Sequence, residues 1–508
     1  MTVHQHNAHN RAGKTALRVN AADNVAVALS DIAAGTVLTI SGMEIVARAT
    51  IPAGHKIALA PVPAGGDVIK FGAPIGRAAQ AIMPGDHVHC HNLATALCDV
   101  EDYADIKPAD RSNVITPSAE TFMGYRRADG RVGVRNEIWI LPTVGCVANT
   151  AERIAAEARM QINGRIDGVY AFAHPFGCSQ LGDDLGGTRA LLAALASHPN
   201  AGGALIIGLG CESNQIDALL KGIPAEARQR VRTLVSQAVE DEYDAGLAAV
   251  EELIGLAAND RREPCAVSDL VIGVKCGGSD GFSGLTANPL VGRMTDRVVA
   301  AGGASVLTEI PEIFGAERPL LERCENERVF NGLVAVVNDF KRYFLEHNQP
   351  IYENPSPGNI RGGITTLEEK SLGAAQKAGV SAIVTSALRY GERVKFPGLA
   401  ILESPGNDAV SSTALVAAGA TVILFTTGRG TPLGFPAPTI KIASNSALAE
   451  KKPRWIDFDA GPSLDENERP SLEEDLWRLL IDVASGKPTR SEENGERSIA
   501  IWKRGVTL

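Results

Sequence analysis

Aromatic residues are scarce, 5% of 508, and no apolar run approaches the length of a bilayer-spanning helix. Runs such as 204–209 and 421–425 fall far short of the roughly 18 to 20 residues such a helix needs, so no membrane span is expected. Positive charge is also in deficit. With 49 Lys and Arg against 59 Asp and Glu the formal net charge is −10, and the pI near 5.6 argues against nucleic acid as the main partner. The first fourteen residues lack the apolar core of a secretion signal, which makes a reducing cytoplasm the expected setting. Neither G-x-x-x-x-G-K-[ST] nor G-x-G-x-x-G after a strand occurs, and GLGCESN fails at the third glycine, so nucleotide chemistry has no support. The absence of any Cys-x-x-Cys pair disfavours a zinc or redox-thiol enzyme.

What is abundant is small and apolar: 45% hydrophobic residues and 52 glycines, the profile of an α/β enzyme. Residues 1–14 are polar and are expected to be a disordered tail. Residues 15–93 hold short β-type runs (NVAVAL, TVLTI, KIALAPV, DVIKF, HVHCH) separated by PAGH, PAGGD and MPGD, which predicts a small all-β domain. Residues 94–122 lack periodicity and are expected to be a linker. From 123 onward apolar runs alternate with Ala-rich helical stretches, the pattern of a largely parallel sheet. NDRREP at 259–264 divides a middle α/β domain, 123–264, from a C-terminal domain, 265–508. Within the middle domain, 224–257 is expected to be helical. A late helix is expected to start at Ser471, with Glu474 completing a capping box.

Four predicted strands run into a cysteine: PTVG-Cys146, AHPFG-Cys178, IIGLG-Cys211 and VIGVK-Cys276. Ligands of open α/β sheets bind at carboxyl strand ends, and thiolate is the form that ligates iron or zinc. The four are therefore candidate metal ligands, although any one alone is as readily a small core residue beneath a tight turn. Their separations of 32, 33 and 65 residues are unlike a zinc finger. His87, His89 and His91 alternate in GDHVHCHN, one face of a strand, and with His174 they are candidate acid/base groups; the bland alternative is a polar stripe. His55 and His198 are expected to be structural. Ser279, Asp280, Asp408 and Arg429 fall in loops at strand ends, and Arg126 and Arg135 precede the first strand. These are the candidate substrate-binding residues, the arginines through their carboxylate-matching fork.

The segments GYRRADGRVGVRNEIWILPTVGC, HPFGCSQLGDD, IIGLGCESNQ, CGGSDGFSGLTANPLVGR, VLTEIPEIFGAE, YENPSPGN and TTGRGTPLGFPAPTIKIASN closely resemble the altronate/galactarate dehydratase family, and the resemblance spans nearly the whole chain. It implies a β-clip (SAF-type) N-terminal domain, a linker, a middle dimerisation segment and a C-terminal Rossmann-like parallel-sheet domain. It implies a homodimer that removes water from a sugar acid and depends on Fe2+, mononuclear or in an iron–sulfur cluster, with Mn2+ as a substitute. HVHCHN points to D-altronate as substrate and 2-keto-3-deoxy-D-gluconate as product; galactarate or another hexonate or hexarate is the alternative, and a non-catalytic sugar-acid binding protein the competing class. In this reading iron held by Cys146, Cys178, Cys211 and Cys276 acts as Lewis acid, and one of the β-domain histidines moves the proton.

Overall fold

A computed structural model describes residues 15–116 and 118–508; the expected tail, with His4, His6 and His9, lies outside them. The first domain is all β, as its turn-punctuated text predicts. Val25–Ala28 and Lys56–Ala58 form the centre of a four-stranded antiparallel sheet, the hairpin Val37–Ile40/Met43–Val46 packs beside it, and Asp67–Lys70 pairs with Ala73–Ala78. Their inward residues make two small cores, one around Ile32, Ile40 and Ile57, the other around Val62, Val68 and Ile75. The histidine stripe departs from expectation, because the strand covers only His87–Val88 and the chain turns at His89.

The segment expected to be a linker is irregular but anchored. Leu97, Tyr103 and Ile106 are buried in the core of the C-terminal domain, and Lys341 donates to the Tyr103 hydroxyl at 2.9 Å.

The middle domain is a four-stranded parallel sheet in the order Gly168–Ala171, Glu137–Pro142, Ala201–Gly208, Val231–Val235. The last strand corrects the expectation of continuous helix over 224–257. VRTLV is rich in β-branched residues, with Val231 and Leu234 buried and Thr233 exposed, which suits a half-buried edge strand, and helix resumes only at Glu242–Ala257, capped by Asp241. The C-terminal domain is a seven-stranded parallel sheet in the order Val384–Leu388, Gly398–Leu402, Ala304–Leu307, Val271–Cys276, Val422–Thr427, Thr439–Ala443, Phe458–Asp459. Its late helix runs Arg469–Ala484, so Ser471 lies inside the first turn and is not the cap. Pro470, whose fixed φ suits a first turn, lets the helix begin two residues earlier.

Helix Gly182–Ala196 of the middle domain packs on Asp408–Ala417 of the C-terminal domain, and Leu191, Leu192 and Leu195 share one core with Leu415 and Val416. Each such leucine contributes at most about 1.5–3 kcal/mol, enough together to weld the two sheets. The start of helix Gly182–Ala196 and the carboxyl ends of Val384–Leu388 and Gly398–Leu402 border one cleft of about 1010 Å3, where Asp184 accepts from the Arg504 backbone and Glu403 from its guanidinium.

Candidate active site

The chain enters the seven-stranded sheet at Val271–Cys276, builds one side, and returns on the other at Val422–Thr427. Adjacent strands whose connections leave in opposite directions open a crevice at their carboxyl ends. Ser279, Asp280, Asp408 and Arg429 all gather there. The Arg429 guanidinium touches only the Gly358 carbonyl, at 3.4 Å, and has no carboxylate partner among the described residues. Asp408 is fixed by Lys275 at 2.8 Å and lies over Gly277, where a Cβ would come 2.6 Å from its Oδ2. Ser279 faces the neighbouring segment through its carbonyl, which accepts from Asn359 at 2.8 Å. Asp280 corrects the substrate-contact expectation. Its Oδ1 accepts from Ser283 and Ser444 and its Oδ2 from Asn445, so the buried carboxylate shapes the loop and has no free face for a ligand.

Beneath the crevice lies a buried charged floor in which Cys276, Glu309 and Glu312, a thiol and carboxylates at strand ends that the sequence pairs as a divalent-metal donor set, meet lysines the sequence did not disclose. Cys276, Glu309 and Glu312 present donor atoms within 4.8 Å of one another, each beside a lysine: Lys275 on Glu309 at 3.0 Å, Lys370 on Glu312 at 2.9 Å and Lys377 on the Cys276 sulfur at 3.0 Å. Burial pulls Glu309 up to about 7 against the restraint of Lys275. Burial also raises Glu312, but Lys370 and Lys377 outweigh it and hold the carboxylate below its ordinary value. The Cys276 thiol, buried and donating to Glu312 at 3.1 Å, is pushed up to about 12. Three ammonium groups already match the carboxylates here, so a divalent ion would have to displace them. Cys276 is thus parted from the other three cysteines, on another sheet and in an acid/base network.

The β domain forms the lid. Gly54 lies against Gly281 and Gly362, while His89 and His55 approach the carbonyls of Ile360 and Arg361 at 3.1 and 3.3 Å. His55, expected to be structural, joins the cluster: its Nδ1 is 3.0 Å from His87 Nε2, and its ring stacks on His89. Its distance in sequence hid it. His91 completes the group, 5.5 Å from His87 between ring centroids. Burial, then the neighbouring imidazoles, pull His87 down to about 4, and burial lowers His55 and His89, so these three imidazoles are neutral at neutral pH. The lid is pinned by Glu369, which ion-pairs Lys56 and Lys70 at 2.8 Å each, all three side chains buried.

Cys146, Cys178 and Cys211 are exposed on three interlocked loops at the carboxyl edge of the middle sheet. Gly145 donates to Phe176 O and Asn214 to Gly177 O, both at 2.9 Å, and the Asn214 side chain donates to Thr143 O at 3.1 Å. Gly177 has φ +102°, and a Cβ there would overlap Thr143 O at 1.9 Å, so only glycine lets the loops touch. Glu212 accepts from Thr143 and the backbone of Gly210, which outweigh burial and hold it low. His174 is buried, with Nε2 on Pro142 O at 2.8 Å and Nδ1 accepting from Phe176 N–H. Both nitrogens serve the backbone, so it orders the Cys178 loop and has none free for catalysis.

Two arginines also leave the expected set. Arg126 pairs Glu263 and Asp269 on the surface. Arg135 is buried, its donors consumed by Glu492 and the carbonyls of Val134, Val483 and Lys487.

A switch-point crevice with neutral imidazoles above, a free guanidinium at its rim and paired acid/base groups below defines an enzyme that moves protons on a small anion. Residues 14–96 match the Altronate/galactarate dehydratase SAF domain, 124–258 the D-galactarate dehydratase/Altronate hydrolase second domain, and 267–507 the D-galactarate/Altronate dehydratase C-terminal domain. The chain is 50% identical to Altronate dehydratase of Escherichia coli, over 97% of this chain and 99% of that one, and 48% identical to Altronate dehydratase of Bacillus subtilis, over 97% and 100%. It is 36% identical to Galactarate dehydratase (L-threo-forming) of Escherichia coli, over 93% of each. The chain belongs to the altronate/galactarate dehydratase family and is a hydro-lyase. No helix among the described residues is long and apolar enough to cross a membrane.

Proposed function

We propose that the chain converts D-altronate to 2-keto-3-deoxy-D-gluconate, removing the C2 proton and the C3 hydroxyl and passing through the enol. The observation that carries this reading is the convergence of neutral histidines and Arg429, free of any carboxylate among the described residues, on one crevice. Arg429 holds the substrate carboxylate, whose charge grows as the C2 proton leaves. One imidazole of the His87, His89 and His91 group takes that proton as general base. The identities of 50% and 48% with two altronate dehydratases, against 36% with the galactarate enzyme, favour altronate.

Iron fits the exposed cysteines better than the floor. A single ion with sulfurs at about 2.3 Å needs them within about 4.6 Å of one another, and Cys146, Cys178 and Cys211 form no such group among the described residues. A cluster spreads its thiolates wider and leaves an iron open, so these three would hold an iron–sulfur cluster, which when bound supplies Lewis acidity toward the substrate's oxygens. The eight free cysteines support a reducing, cytoplasmic setting, and the family resemblance supports a homodimer.

The test is an anaerobic assay with Fe2+ on altronate, galactarate, glucarate, gluconate and sulfolactate, scoring 2-keto acid. Turnover should be greatest on altronate, and none on any substrate would overturn the reading. Anaerobic protein with a featureless visible spectrum would remove the cluster.

A further inference from the structure

A second cavity, of about 550 Å3, lies where helix Gly182–Ala196 of the middle domain meets the first turns of Glu327–Glu346 and the edge strand Val384–Leu388. The volume is that of a metabolite pocket. It exists because the residues facing it are small, among them Ala190, Ala193, Gly222, Gly332 and Gly391. None of the loops that form the crevice, the floor or the cysteine edge contributes to it.

Its lining is positive in balance, with three cations against one carboxylate. Arg328, Arg393 and Lys395 line it, and none of them has a carboxylate partner among the described residues. The one acidic lining residue, Glu392, already accepts from the Arg389 backbone N–H at 2.8 Å. Arg393 is the most exacting of the three. Its one hydrogen bond runs from Nη2 to the Ala193 carbonyl at 3.0 Å. Burial, and then the nearby Arg131 guanidinium, pull it down to about 10. Arg131 is occupied by Asp129. A half-buried guanidinium beside a second one, with the single carboxylate of Asp129 acting on both, lacks a full counter-charge until an anion joins it.

We propose that this cavity binds a small phosphate-bearing anion, held by the fork of Arg393 and by the charges of Lys395 and Arg328. Two cations on the loop before Gly398–Leu402 and a third on helix Glu327–Glu346 match a tetrahedral group of oxygens better than a planar carboxylate. Arg393 comes from the C-terminal domain and already grips a carbonyl of the middle domain, so the ligand would sit across the joint between the domain bearing the exposed cysteines and the domain bearing the crevice.

The test is titration calorimetry of the full chain in low-chloride buffer with inorganic phosphate, pyrophosphate and a hexose 6-phosphate, with gluconate as the carboxylate control. A saturable site for at least one phosphate probe is expected, weakened about tenfold or more in Arg393→Gln, the loss of one charge-assisted fork, and severalfold in Lys395→Gln. Lys395 is exposed, so the second variant keeps the test decisive should the first fail to fold. No saturable binding of any phosphate probe, binding unchanged in both variants, or gluconate binding as tightly as phosphate would each overturn the proposal.

Discussion

Glu369→Gln should detach the lid. The substitution leaves Lys56 and Lys70, both buried, without their shared carboxylate, and breaking a buried pair from one side costs about 3–5 kcal/mol. The carboxylate itself gives a similar figure: despite burial, the two lysines hold Glu369 at about 2 against an ordinary 4.5, which converts to about 3 kcal/mol. Lys56 offsets part of this, since burial pulls it down to about 8, so the lower end is the better expectation. A loss of that size lowers the transition of a domain this small by roughly 12 °C or more. Calorimetry should show an early transition absent from the wild type, limited proteolysis should cut within 94–122, and turnover should fall as the histidines leave the crevice. The carboxylate's folded value is depressed, so its stabilisation is complete above about 4.5 and is lost as pH falls toward about 2. A single transition at the wild-type temperature, with unaltered resistance to protease, would refute the reasoning. The triple variant Lys56→Met, Lys70→Met, Glu369→Leu should recover most of the stability, because it removes the stranded charges with the pair.

Cys146→Ser and Cys211→Ser should lose bound iron and turnover together while melting within a few degrees of the wild type, since both thiols are exposed; retained iron and activity in both would return them to a structural role. Gly277→Ala should cut kcat at least tenfold with the fold intact by circular dichroism, because its Cβ would meet Asp408 Oδ2 at 2.6 Å and push that carboxylate off Lys275; wild-type kcat would show that the pair is idle. His87, held at about 4 against an ordinary 6.5, binds its proton more readily in the unfolded chain. Stability should therefore decline as pH falls from about 6.5 to about 4, and urea titrations of His87→Gln should show a shallower decline; equal slopes would contradict the assignment.

The parts legible in the sequence are those encoded locally. Alternating short runs between Gly-rich turns gave the β domain, and βα alternation gave two parallel sheets. All four cysteines expected at carboxyl strand ends lie at or soon after one, Cys276 as the last residue of Val271–Cys276, because each follows its strand in the sequence. Local pattern failed where a partner lay far along the chain. VRTLV passes for helix until its pairing with Ala201–Gly208 is seen. His55 and His87 meet across 32 residues, and Cys276 meets Lys377 across 101; no spacing rule connects them. Arg126 and Arg135 looked available because the carboxylates that occupy them, Glu263 and Glu492, lie 137 and 357 residues away.

In helix Leu367–Ala375, three consecutive residues have three separate addressees. Glu368 accepts from Thr95 and Ala96 where the lid meets its tether, Glu369 grips the lid, and Lys370 grips Glu312 in the floor. Successive side chains on a helix diverge by about 100°, so a single rigid turn acts as a three-way coupling. Any lifting of the lid would tug on the turn that sets the charge balance beneath it, which ties access to the crevice to acid/base readiness.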